Sequence, residues 1–295
     1  MKTNRTLILA ACILLMAGCS ARTEGGSSFS ASPPAASSDG PETSGTSEQS
    51  LPAEQSIRLP ERSPLEQAVL SAVLEENRGK YLPGEFQGAG CQMVETFPEG
   101  EELRVYAWTE YIEYAFQDGQ FVNISGTRAK AFLRFEVQEE RYTLKEYLVL
   151  DPTSGLTDEQ LEKLIAPIKE TGKDYLYTEE DLAALRQQVD DSARRYLQSI
   201  GREAAVCERS GHEENSLFSL GVNEEVYYQI TENEAAKAYP DWTGSCETVE
   251  DGVRYVYTTR YDQNTRTIRY EKTRYDTGEA TEALAFDAVT GKPLP

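Results

Sequence analysis

Apolar positions follow three regimes along the chain. Residues 6–17 (TLILAACILLMA) are almost continuously apolar. Residues 20–62 hold only Phe29, Leu51, Ile57 and Leu59 as large apolar side chains, in a background of Ser, Gly, Pro, Ala, Thr and Glu. From residue 63 the apolar positions become periodic, at helical spacing in some stretches and at alternate positions in others. Periodic burial is the signature of folded elements, so the folded part is expected to begin there.

The first periodic stretch reads as a helix. Ser63 can cap it, Pro64 suits its first position and Glu66 can close a capping box. Leu65, Ala68, Val69, Ala72 and Val73 form its stripe, and the stop falls near Asn77 to Gly79. Strand patterns follow. Residues 103–116 (LRVYAWTEYIEYAF) are rich in β-branched and aromatic types, and Asp118-Gly119 is a two-residue hairpin turn leading to Phe121, Val122 and Ile124. Residues 129–137 alternate, with Ala131, Leu133, Phe135 and Val137 on one face, and Glu139-Glu140 turns the chain into residues 141–150. A helix followed by an antiparallel β-meander defines an α+β class, with the helix covering one sheet face.

Two further helices are predicted. Thr157 and Gln160 form a second capping box ahead of Leu161, Leu164, Ile165 and Ile168. Thr178 caps a longer stripe of Leu182, Leu185, Val189, Ala193, Tyr196 and Ile200, stopped by Gly201. Residues 253–261, 266–275 and 281–287 then read as antiparallel strands, turning at residues 262–265 and at Thr277-Gly278. Phe286-Asp287-Ala288-Val289-Thr290-Gly291 echoes Leu150-Asp151-Pro152-Thr153-Ser154-Gly155, which suggests a degenerate duplication. The expected organisation is a signal segment at 1–19, a disordered linker at 20–62, an α+β domain at 63–175, and a helix plus antiparallel sheet at 176–295.

The N-terminal run changes the picture of where the protein works. Twelve residues span about 18 Å as a helix, against about 30 Å of bilayer core, so the run is a signal-peptide apolar region behind Lys2 and Arg5. It ends Met16-Ala17-Gly18-Cys19, which resembles the lipobox of bacterial lipoproteins. That resemblance implies lipid on the Cys19 sulfur and cleavage before it. A plain signal peptide with a chance cysteine is the alternative. Residues 20–62 cannot bury enough apolar surface to order themselves and read as a tether, with an end-to-end distance of roughly 35–40 Å.

Charge narrows the partners. There are 29 basic against 50 acidic residues, a net charge of −21, before Lys2 and Arg5 leave with the signal. Nucleic acid and close contact with anionic lipid are disfavoured. Of five cysteines, Cys91, Cys207 and Cys246 remain in the folded part. Outside the cytoplasm Cys207 and Cys246 are the candidate disulfide, with Cys91 odd; three free thiols is the other reading. His212 is the single histidine and lies in His212-Glu213-Glu214-Asn215-Ser216, which is not a zinc-protease motif. No nucleophile elbow, phosphate-binding loop, EF-hand loop or paired C-x-x-C occurs, so neither a metal site nor a cofactor is expected. Carboxylate pairs such as Glu110 and Glu113 are expected by chance in so acidic a chain.

Residues 65–81 (LEQAVLSAVLEENRGKY), 105–126 (VYAWTEYIEYAFQDGQFVNISG) and 131–155 carry a further pattern: a helix ending E-x-N-x-x-K-Y, a tyrosine-rich strand, a hairpin followed by F-V and S-G, and a Y-x-L-x-E-Y strand. It resembles the extracytoplasmic C-terminal region of clostridial BlaR1-like (M56) membrane proteins. The resemblance implies a Gram-positive source and a sensor-like outer module. The peptidase part of that family, with its membrane helices and zinc motif, has no counterpart in this sequence.

A lipid-anchored, non-catalytic binding or interaction module on the outer face of the cell membrane is therefore expected. A carboxylate-based hydrolase acting on cell-envelope polymer is the alternative. The candidate binding residues lie in 252–275, a locally basic stretch with interleaved tyrosines: Tyr257, Arg260, Tyr261, Arg269, Tyr270 and Arg274. Tyrosine offers rigid amphipathic area, and arginine offers forked donors for the carboxylate or phosphate of an envelope polymer or protein partner. The competing expectation is that the tyrosines pack beneath a helix and the arginines pair across strands.

Overall fold

A computed structural model describes residues 62–151, 154–173, 176–208 and 212–295. The signal segment, Cys19 and the tether up to residue 61 lie outside the described residues, as do Pro152 and Thr153 of the sequence echo. Four helices and nine strands are described. In chain order they are α1 Pro64–Asn77, β1 Phe86–Glu99, β2 Glu102–Gln117, β3 Gln120–Gln138, β4 Arg141–Val149, α2 Asp158–Thr171, α3 Glu179–Ser199, β5 Val206–Cys207, α4 Glu224–Thr231, β6 Gly244–Glu250, β7 Val253–Asp262, β8 Thr267–Arg274 and β9 Ala280–Asp287. The class is mixed α+β with a β-meander. Among the described residues no helix is long and apolar enough to cross a membrane.

Local signals account for most boundaries. Ser63 accepts from the Glu66 amide while the Glu66 carboxylate accepts from the Ser63 amide. Thr157 with Gln160 and Thr178 with Asp181 form the same reciprocal cap on α2 and α3. Asp118 and Gly119 both take positive φ, 49° and 75°, as a tight hairpin of this twist requires.

The strands form one sheet in the order β4-β3-β2-β6-β7-β8-β9. β1 also pairs with β2, and the two-residue β5 pairs parallel with β3; every other pairing is antiparallel. The described residues belong to one compact unit. The sheet thus runs across the expected division at residue 175. α3, expected to open the second domain, packs through Val189, Ala193 and Leu197 on Ile112, Tyr114 and Phe121 of the first.

The first four strands are covered on both faces. α1 buries Val69, Leu70 and Val73 against Val105, Ala107, Tyr111, Leu133 and Phe135 on one face. Each buried Val, Leu or Phe among them contributes about 1.5–3 kcal/mol. On the other face α2 covers Tyr106 and Phe132 through Ile168, and α3 lies over β1 and β2. β1 was not expected from the sequence. Its Gly88 and Gly90 weaken the strand pattern, and α3 requires both. A Cβ on Gly88 would stand 2.8 Å from Val189 Cγ1, and one on Gly90 2.8 Å from the Leu185 carbonyl. The second half is covered on one face only. Leu217, Val222, Val226, Ile230 and Tyr239 pack there on Tyr257, Ile268, Tyr270 and Phe286.

The two halves meet at a narrow joint. β2 pairs with β6 through Gln117↔Cys246 alone, supported by Asp118 N–H to the Ser245 carbonyl at 2.9 Å and Ser245 N–H to Asp118 Oδ1 at 2.6 Å. Beside it lies a largely buried ion network. Arg254 donates to both oxygens of Glu85, at 2.6 and 2.7 Å, and to Glu247 at 3.0 Å. Arg202 grips Glu247 with two bonds of 2.9 and 3.0 Å, while its guanidinium lies 4.1 Å from the Phe116 ring and 4.3 Å from the Tyr275 ring. Tyr196 of α3 donates to Glu85 at 2.8 Å.

Burial alone would raise the Glu85 pKa, but donation from Arg254 and Tyr196 and the charges of Arg254 and Arg202 hold it below its ordinary value. A depressed carboxylate stabilises the fold above its unfolded pKa, and that stabilisation is lost as pH falls through the folded pKa. Glu85→Gln should therefore cost on the order of 2 kcal/mol at neutral pH. The gap to the wild type should close below about pH 4, as read by chemical denaturation at several pH values. A gap independent of pH would show that the Glu85 charge is not what matters.

Candidate binding surface

The six candidate residues are divided between two faces of β7–β8. Tyr257 and Tyr270 are buried beneath Tyr239, with ring centroids 5.0 Å from it in both cases. Tyr261 packs at the margin of the same core. The Tyr257 hydroxyl donates to Glu250, which Lys272 also holds. Arg274 stands opposite Tyr255 on this covered side and makes two bonds to Asp276, at 3.1 and 3.0 Å. These four do not form an exposed patch with the others. Strand alternation sends the tyrosines inward, and their rings supply the apolar area beneath α4.

Arg260 and Arg269 are brought together. They are directly opposed in the β7–β8 register, on the face that no described helix covers. The Arg260 side chain is 71% exposed, and Arg269 is exposed as well. Like charges directly opposed across strands are destabilising. Glu271 offsets part of that charge, with a carboxylate oxygen 3.5 Å from Arg260 Nη1. Around the pair lie Thr258, Ala283 and Ala285, whose small side chains leave a groove of about 420 Å³. One wall is the C-terminal segment, where Leu294 N–H donates to the Ala285 carbonyl at 2.8 Å. The arrangement can present two guanidinium groups to one anionic group.

Glu110 and Glu113 lie on opposite faces of β2, and both are 2% exposed. Glu110 Oε1 accepts from Arg128 at 2.8 Å and from Arg186 at 2.7 Å, while Oε2 is buried without a partner. Glu113 accepts from Tyr111, from Gly84 N–H and from Gln87. The pair does not converge on a common point. Pairing of Glu110 with two arginines had no sequence signal beyond a charged residue inside an apolar strand, since Arg128 and Arg186 come from distant elements. His212 stacks on Trp242 at 4.2 Å, with Nε2 3.0 Å from Gln117 Oε1. Among the described residues no group of three or more His, Cys, Asp or Glu side chains could hold a metal ion.

The candidate Cys207–Cys246 disulfide is not formed; all three cysteines of the folded part are free, the other of the two readings. Cys207 lies beside Val122 on the outer edge of β3, whereas Cys246 lies beside Gln117 on the far edge of β2. Three strand spacings of about 4.8 Å separate them, roughly 14 Å, against a Cα limit near 7 Å.

Comparison with protein-family models, curated proteins and solved structures returns no match.

Burial raises the thiol pKa of Cys91 and of Cys246 to about 12, so neither is a nucleophile at neutral pH. Both should resist iodoacetamide at pH 7.5 in the folded protein and react at the ordinary rate in denaturant. Rapid labelling of either by mass spectrometry without denaturant would contradict the packing described for them.

Proposed function

We propose that the chain is a lipid-anchored, sensor-like and non-catalytic binding module on the outer face of the cell membrane. It takes the phosphate or carboxylate groups of an envelope polymer, or of an acidic protein partner, on the open face of β7–β9. One observation carries the reading: Arg260 and Arg269 are directly opposed and exposed beside a groove, in a protein whose net charge is −21. An anion between the two would relieve a repulsion that the fold otherwise carries. The lipobox-like Met16-Ala17-Gly18-Cys19, the polar residues that follow it, and the resemblance to the outer region of BlaR1-like proteins support the location and the sensor-like role.

A degenerate duplication is part of the same reading. α1 precedes the meander β1–β4 as α4 precedes the meander β6–β9, and the sequences that close the two meanders echo each other.

Arg260→Glu with Arg269→Glu should weaken capture by an immobilised polyol-phosphate polymer by roughly a hundredfold, two lost contacts at about 1.5 kcal/mol each. The melting temperature should hold, because both side chains are exposed. Normal capture by the folded double variant would remove the surface from consideration. Separately, Cys19→Ala should move the protein from the detergent phase to the aqueous phase, or leave it unprocessed. Unchanged partition would exclude the lipid anchor.

A further inference from the structure

The outer edge of β3 is interrupted. β5 lies along it at Phe121 and Val122, and β4 from Ala131 to Gln138, with Leu150 N–H donating to the Lys130 carbonyl at 2.7 Å. Between these, no described strand pairs with residues 123–129 on that side. Backbone direction there follows from the register. Residues two apart on a strand point their N–H and C=O the same way. The Lys130 carbonyl is turned outward to Leu150, so Arg128 and Gly126 present their N–H and C=O outward too. Both residues are exposed, and among the described residues neither has a backbone partner on the outer side.

A cavity of about 660 Å³ lies against this interruption, and its lining fixes its position. Thr127 and Ala129 belong to one face of the sheet and Arg128 and Lys130 to the other, yet all four line it. A cavity that meets both faces of one strand lies beside that strand, in the plane of the sheet, where a neighbouring strand would run. Tyr147 walls it on the α1 side and Tyr177 on the other.

Open edges invite pairing, and this one selects what can enter. β5 and β4 close its two ends, leaving roughly 23 Å at about 3.3 Å per residue. A folded sheet edge does not fit into a recess closed at both ends, whereas one extended segment of about six residues does. The outward donors and acceptors recur at the main-chain repeat, which matches a polypeptide. Three basic side chains, Lys80, Arg128 and Lys130, line the cavity against two acidic ones, Glu76 and Asp151, a local excess of positive charge in a chain of net charge −21. Arg128 gives Nη2 to Glu110, shares that carboxylate oxygen with Arg186, and has no other ion-pair partner among the described residues.

We propose that β3 accepts an extended acidic peptide segment of a partner protein as an added strand between β4 and β5. Its main chain bonds to Gly126 and Arg128, and a carboxylate side chain meets the Arg128 guanidinium. Strand addition of this kind draws affinity from main-chain bonds and specificity from alternate side chains. The site is separate from the Arg260–Arg269 face and does not rest on it.

The test is amide hydrogen exchange on the full chain. The probe is a capped hexapeptide of alternating valine and threonine with glutamate at its third position. At saturation the Gly126 and Arg128 amides should exchange at least about tenfold more slowly, while those of Thr127 and Ala129, turned toward β2, change little. N-methylating one alternate set of peptide residues should abolish the effect, and N-methylating the other set should leave it. Replacing glutamate by lysine should weaken binding, and Arg128→Gln should remove that preference while the main-chain protection stays. The proposal is overturned if millimolar peptide protects neither amide, or if the two N-methylated peptides behave alike. It is also overturned if protection rises with protein concentration without peptide, which would make a second copy the occupant.

Discussion

A single strand pair joins the two halves of this sheet, and four charged side chains hold that joint. Gln117↔Cys246 is too short a ladder to fix the angle between β1–β4 and β6–β9. The Glu85–Arg254–Glu247–Arg202 chain supplies what the ladder lacks. It links the residue before β1, the segment after α3, β6 and β7 in one network with equal numbers of both charges. Phe116 and Tyr275 shield it. Removing one member of a buried network leaves the others uncompensated, which is why such groups matter more than exposed pairs.

What the joint leaves open follows from how the helices are distributed. The first half spends α1, α2 and α3 on both faces of its strands, so only edges remain there for a partner. The second half has α4 and the segment around it on one face, so an entire sheet face remains. The Arg260–Arg269 pair lies on that open face, and the interruption in β3 lies at an edge. The first follows from a sheet with more face than four helices cover, and the second from β4 and β5 each pairing only part of β3.

Glu110 shows how much depends on partners distant in sequence. Its carboxylate is buried in a strand that reads as apolar, and it is tolerated because Arg128 and Arg186 reach it from β3 and α3. Its Oε2 has no partner. Arg128 therefore serves a buried charge on one side while bordering the open edge of β3 on the other.

Local chemistry was legible in the sequence. The caps at Ser63, Thr157 and Thr178, the Asp118-Gly119 hairpin and the meander from β7 to β9 follow from patterns within a few residues. They hold because capping and turn conformation need no distant partner. The strand alternation that separates Tyr257 from Arg260 is local as well. What required tertiary structure were the elements whose composition serves a neighbour. β1 carries Gly88 and Gly90 because α3 approaches it closely, and those glycines erase the strand pattern. α4 is eight residues with a valine and an isoleucine as its buried positions, too short for its period to be read. The assignment of α3 to the first half, the distance between Cys207 and Cys246, and the direct opposition of Arg260 and Arg269 depend on register and packing between residues far apart in the chain. A sequence fixes what each segment prefers by itself, and which segments meet is decided only when all of them compete for the same buried surface.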